Sequence, residues 1–275
     1  MKRIAIAEQL LTGKRSPETC EDGIVATDDF VAVIDGSTSK ATHQLLPGMR
    51  NGRAAMLLVS KALRSLPADA SLAQCCEQVT TQLSEAYRQQ GVSADHLIAH
   101  PEERTTASAA IFSLQRQEIW LVVDCQCMVD GVFHDNPKPH ENRIAHERAA
   151  ILRQMLDKGE TDIDSLLQHD VGRDQVVGQI VLTCFDQNKK FSVFDGFPVA
   201  LDKVKVIPVP TDSEVVLATD GYPFLFPSLS ESETALARLL ATDPLCIHQY
   251  VATKGLMDGQ VSFDDRAYIR FRVTR

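Results

Sequence analysis

The chain has 275 residues, 44% of them hydrophobic, and a formal net charge of -9. That length and apolar content can bury one large core, so a single domain over residues 1–275 is expected. The acidic balance, with no dense Lys/Arg patch interleaved with aromatics, excludes nucleic acid as an expected partner, and no apolar run approaches the roughly 20 residues needed to span a bilayer.

In chain order, residues 3–7, 23–27 and 30–35 read as strands. The N-terminal MKRIAIAEQLL has neither a long hydrophobic region nor a small-residue cleavage site, so it reads as the first strand rather than a leader. Residues 51–66 and 71–90 carry the period of amphipathic helices that would cover a sheet face. Residues 106–114 and 118–133 read as a hairpin, followed by a polar loop holding Pro137, Pro139, His140 and Glu141. A third helix is predicted over 146–159, stopped by its glycine. The stretch to about residue 190 is ambiguous, and 191–199 reads as a hairpin turn. Helices over 230–243 and 244–255 precede a last strand. These pieces predict a mixed α+β fold with mainly antiparallel strands.

Seven cysteines include Cys75-Cys76 and the pair Cys125 and Cys127, but no CxxC. This pattern suggests neither a disulfide framework nor a zinc site, and a reducing, cytoplasmic setting is expected.

Four acidic clusters sit at the ends of apolar runs: Glu21-Asp22, Asp35-Gly36, Asp220-Gly221 and Asp264-Asp265. In FVAVIDGSTS, residues 30–39, a hydrophobic strand stops at Asp35 and the glycine lets the chain turn. A carboxylate and a neighbouring carbonyl at such a turn suit a hard cation, Mg²⁺ or Mn²⁺, which prefers oxygen ligands and keeps waters for substrate chemistry. EVVLATDGYP, residues 214–223, repeats the pattern with Asp220. A lone Asp-Gly is usually only a turn, but several carboxylates gathered without a cation would raise one another's pKa values or separate into water.

The ordered set Glu21-Asp22, VIDG (33–36), TTA (105–107), VVD (122–124), ATDG (218–221) and Asp264-Asp265 resembles the metal-dependent protein Ser/Thr phosphatases of the PPM, or type 2C, family. The resemblance spans nearly the whole chain, as in a divergent bacterial-type member. It implies a four-layer α/β/β/α sandwich and hydrolysis of a phosphorylated protein by a metal-activated water. Two Mg²⁺ or Mn²⁺ ions would be held by Glu21, Asp35, Asp220 and Asp264, with the Gly36 carbonyl and with Asp22 in support. Asp35 and Asp220 would serve catalysis, and Arg15, in the loop before Glu21, would grip phosphate through its planar fork.

The chain departs from the family at DGSTS (35–39), where Asp-Gly-His-Gly-Gly is usual, and at VDCQ (123–126), which keeps Asp124 as a structural acid but lacks the flanking glycine and arginine. Arg104 replaces a glycine before Thr105-Thr106. Glu102 and Glu103 lie where a third-metal acid is expected and read as a solvated loop. His43 is a candidate proton donor, or a surface histidine. VFDG (193–196) imitates a metal strand end, yet no Glu-Asp pair precedes Asp195 at the needed separation. Two other functions remain open: a phosphatase-like regulatory or binding module that has lost catalysis, and an actin-like ATPase or sugar kinase suggested by IDGSTSK (34–40).

Overall fold

A computed structural model describes residues 2–37 and 43–274 of the chain. Thr38, Ser39 and Lys40 of the IDGSTSK run, on which the kinase reading depends, therefore lie outside the described residues.

The described strands are β1 (Arg3–Thr12), β2 (Asp22–Ala26), β3 (Phe30–Ser37), β4 (Thr106–Ser113), β5 (Glu118–Val122), β6 (Gln126–Val129), β7 (Val132–His134), β8 (Lys205–Pro208), β9 (Glu214–Ala218) and β10 (Arg266–Thr274). The helices are α1 (Asn51–Arg64), α2 (Leu72–Gln89), α3 (Ala94–Ala99), α4 (Glu141–Asp157), α5 (Ile163–Gln168), α6 (Val171–Thr183) and α7 (Leu229–Thr242). The strands form two five-stranded sheets, ordered β1-β10-β9-β6-β7 and β2-β3-β4-β5-β8, and every pairing within them is antiparallel.

Side-chain alternation explains the layers. In β3, Val31 and Val33 face the core between the sheets, while Ala32 and Ile34 face α1 and α2. Both faces of β3 are covered, so its sequence reads as a continuous apolar run rather than an alternating one. β10 sends Ala267, Ile269, Phe271 and Val273 into the same inter-sheet core and Tyr268 to the outer side, where it packs with Val216, Tyr222 and the first residue of α7. The result is the expected four-layer α+β sandwich. α2 begins with a reciprocal capping box between Ser71 and Gln74.

Several local expectations are corrected. Residues 118–133 are not one arm of a hairpin: β5 pairs with β4 in one sheet and β6 with β9 in the other. The chain changes sheet at Val123 and Asp124, which both take left-handed backbone angles, φ 37° and 51°. Such angles are costly for non-glycine residues, above all a β-branched one, and no sequence cue announced them. The segment 191–199 is no hairpin either. It crosses beside β4 through a bridge from Phe194 to Ala107, held by Asp195. α4 starts at Glu141, five residues earlier than predicted, the ambiguous stretch folds into α5 and α6, and β8 went unpredicted.

Residues 244–255 form no helix, because side chains take the backbone groups a helix would have used. The Asp243 carboxylate accepts the amides of Ile247 (3.1 Å), His248 (2.8 Å) and Gln249 (2.8 Å). The fully buried guanidinium of Arg148, on α4, donates to the carbonyls of Leu245 (3.0 Å) and Ala252 (3.0 Å) and pairs with Asp170 at 2.7 Å. Truncating one member of a buried ion pair leaves the other charge uncompensated. Arg148→Ala is therefore expected to lower the unfolding free energy by about 3–5 kcal/mol, measurable as a lower urea midpoint. A surface change such as Arg143→Ala should leave the midpoint nearly unmoved.

Candidate metal centre

Antiparallel pairing brings the acidic strand ends to one edge of the sandwich. Asp22, the first residue of β2, is the register partner of Asp35 near the end of β3. In the other sheet, β9 runs antiparallel to β10, so Asp220 just after β9 lies beside Asp264-Asp265 just before β10. The two edges meet at a cavity of about 460 Å³ whose walls include Glu21, Asp35, Gly36, Asp220, Asp264 and Asp265. Asp22 lies behind this wall and is buried.

Close glycine packing shapes the site. A Cβ on Gly36 would sit 2.0 Å from the Gly52 carbonyl oxygen, and one on Gly52 would sit 2.5 Å from Glu21 Oε1 and 2.7 Å from the Gly36 carbonyl oxygen. The Glu21 carboxylate and the Gly36 carbonyl thus lie side by side against the first turn of α1. A Cβ on Gly221 would sit 2.1 Å from the Asp265 carbonyl oxygen, so the two sheet-edge turns also touch backbone to backbone. Asp265 anchors the loop before β2, accepting the amides of Lys14 (2.7 Å) and Glu21 (3.1 Å). Gln126 donates to the carbonyls of Thr219 (3.0 Å) and Tyr222 (2.6 Å) and fixes the turn that carries Asp220.

The charges are crowded. Burial, then the Asp220 charge, pushes the Asp35 carboxyl up to about 7. Burial and Asp35 likewise raise Asp22 well above the usual carboxylate range. At the head of α4, Glu141 is pushed up to about 7, first by Asp124 and then by burial. Three lysines stand among these acids. Lys14 Nζ lies 2.9 Å from Asp264 Oδ1 and 3.6 Å from Asp265 Oδ2; Lys254 pairs with the other oxygen of Asp264, and Lys138 pairs with Asp124.

A hard divalent cation fits part of this donor set. Asp35 and Asp220 supply carboxylates that repel each other without a cation, Gly36 and Glu21 supply adjacent oxygens, and Asp22 Oδ2 is buried without a hydrogen-bond partner. Mg²⁺ needs only one or two carboxylates plus waters. Asp264 fits less well, since both its oxygens are held by ammonium groups. Among the described residues these acids do not draw three carboxylate oxygens within 4.8 Å of one another, so the centre is open rather than a closed cage.

The remaining expectations fall out unevenly. Arg15 is exposed and outside the cavity wall, whereas its neighbour Lys14 forms part of it. His43 lies off the wall, and Asp124 lies on it. Asp195 is fully buried, receives Arg104 (2.9 Å), Asn188 (3.0 Å) and the Phe197 amide (3.0 Å), and ties down its own segment. Sequence reasoning missed Lys138, Glu141 and Lys254, because each comes from a stretch with no motif and reaches the cavity only through tertiary packing.

No protein-family model matches the chain, and no curated protein matches it. Three solved structures with a similar path are the catalytic domain of the serine/threonine protein phosphatase PstP in complex with two manganese ions (15% identity, TM-score 0.49, covering 100% of both chains), PppA, a regulatory component of the type VI secretion system in Pseudomonas aeruginosa (11%, 0.48, covering 99% of this chain and 100% of that one), and the PPM phosphatase MsPP from Mycobacterium smegmatis in complex with cacodylate (15%, 0.45, covering 98% and 99%). With identities this low, the architecture rests on the strand pairings themselves.

Gly52→Ala should push the Glu21 carboxylate and the Gly36 carbonyl apart. If Mn²⁺ binds here it should raise the Tm of the parent protein, and the variant is expected to fold, by circular dichroism, but to show no such rise. Gly178→Ala, where an added Cβ meets nothing within 4 Å, should keep the Mn²⁺ response and gain about 0.5–1 kcal/mol.

Proposed function

We propose that the chain is a metal-dependent phosphomonoester hydrolase, a protein serine/threonine phosphatase whose one domain runs over residues 1–275 and uses Mg²⁺ or Mn²⁺, two ions in the complete centre. The observation that carries this reading is the opening of Asp35 and Asp220, from different sheets, into one cavity beside Glu21 and Gly36. Such ions, when bound, acidify a water for in-line attack at phosphorus and neutralise the phosphoryl oxygens.

The chain's own residues divide the remaining work. Asp35 and Asp220 would hold the cation in the cavity, and Glu21 with the Gly36 carbonyl would supply further oxygens beside it. Asp22 supports Asp35 from behind, and Asp265 holds the loop of Lys14 and Glu21 in place. Lys14 takes over the phosphate-facing position expected of Arg15, as a point charge rather than a fork. Asp264 would join the ligand set if Lys14 and Lys254, which now hold its two oxygens, released it. A phosphorylated protein segment is the proposed substrate, and a cytoplasmic setting agrees with seven free cysteines and with no helix, among the described residues, long and apolar enough to cross a membrane.

One observation favours a second reading. Lys14, Lys138 and Lys254 already neutralise part of the acidic centre, which suits a binding module that keeps the fold and has exchanged a metal for ammonium groups.

Hydrolysis of p-nitrophenyl phosphate and of a phosphothreonine peptide separates the two. The phosphatase reading expects turnover with Mn²⁺, none in chelator, and at least a hundredfold loss in Asp35→Asn and Asp220→Asn, on the order of losing a transition-state electrostatic contact. Both substitutions remove like charge from the crowded acidic cluster, so the variants should melt no lower than the parent, and lost turnover cannot be ascribed to unfolding. Absence of turnover in the parent with Mn²⁺ in the buffer, together with its appearance in Lys254→Met, would favour the lysine-neutralised module.

A further inference from the structure

A second group of metal-ligating side chains lies beside the cavity, on the α3 turn and the short 3₁₀ turn Pro101–Glu103 that follows it. Among the described residues, only His100, Glu102 and Glu103 form a triad with one ligand atom each inside a 4.8 Å sphere of mutual distance. His96 joins them: its Nε2 lies 3.0 Å from Glu103 Oε2, and its ring centroid lies 4.7 Å from that of His100. His100 Nδ1 is 3.3 Å from Glu102 Oε1.

These separations suit a small ion. Zinc bound tetrahedrally with bonds of about 2.0 Å sets neighbouring ligand atoms about 3.3 Å apart. The cluster also holds unspent donors: Glu102 Oε2 and His43 Nε2 are buried without a hydrogen-bond partner, and His43 Nδ1 stands 3.6 Å from Glu103. Arg104, the next residue along the chain, is turned elsewhere. It gives its guanidinium to Asp195 (2.9 Å) and the Leu97 carbonyl (2.9 Å) and stacks over Phe197, 4.1 Å from the ring centroid. Two carboxylates and two imidazoles are thus gathered at a half-exposed turn whose own arginine faces away.

We propose that His96, His100, Glu102 and Glu103 bind a borderline first-row transition ion of the Zn²⁺ class. Imidazole donors separate this site from the all-oxygen centre at Asp35 and Asp220, since imidazole suits zinc, iron and nickel whereas carboxylates, carbonyls and water suit magnesium and manganese. The proposal does not depend on phosphatase activity. Glu102 forms part of the cavity wall, so a bound ion would brace that wall and clamp the α3 turn to His43.

Co²⁺ reports such a site by its visible d–d absorption. In full-length protein with excess Mg²⁺ to occupy the oxygen centre, one equivalent of Co²⁺ is expected to give the intense bands of four- or five-coordinate cobalt, and Zn²⁺ to abolish them by displacement. Asp35→Asn should keep the bands. His100→Ala and the double variant His96→Ala/Glu103→Gln should weaken Co²⁺ binding at least tenfold, while circular dichroism shows both still folded. Bands that vanish in Asp35→Asn but persist in His100→Ala would assign the cobalt to the oxygen centre and overturn the proposal. So would the absence of bands in the parent protein, which would leave the group as a surface network of histidine–carboxylate hydrogen bonds.

Discussion

Negative charge gathered at one edge of the sandwich is the constraint around which the rest of the molecule is arranged. Asp22, Asp35, Asp220, Asp264 and Asp265 are brought together by strand pairing, and taking that many carboxylates out of water without compensation is prohibitive. The protein answers in three ways. Some carboxyls hold protons more tightly, Asp264 and Asp124 take lysine partners, and Asp265 is satisfied by backbone amides. Asp35 and Asp220 remain under-compensated, and this is where a divalent ion has most to offer.

The sheets serve this arrangement. Small residues let the chains approach where the acids meet, at Gly36 against Gly52 and at Gly221 against Asp265, so the turns that carry the acids are set by backbone contact rather than by long flexible side chains. That is the kind of support a metal site needs if its first ligands are to stay in place.

Much of this was legible in the sequence. The acids at strand ends were visible because a continuous apolar run that stops at an acid and a turn is most simply a buried strand reaching the rim of its sheet, and β3, β9 and β10 border such acids. α1 and α2 were legible from their apolar period. What stayed hidden depended on side chains replacing regular hydrogen bonds. The 244–255 segment carries helix-like spacing, but Asp243 and Arg148 claim its amides and carbonyls. The change of sheet at Val123-Asp124 hides inside residues with strong strand preference. Lys138, Glu141 and Lys254 had no signature, since no local pattern tells a lysine that the chain will fold back to set it against an aspartate ten or more residues away.

The irregular 244–255 segment has a consequence for how this centre can drift over generations. It has no ladder of its own, and it ends by delivering Lys254 to Asp264 two residues beyond the carbonyl that Arg148 grips. The charge balance among these acids is thereby tied to Arg148, an α4 residue that does not line the cavity. Substitutions on α4 that never touch the acids can retune how much ammonium reaches them, giving the scaffold a route between a centre open to cations and one already filled from within.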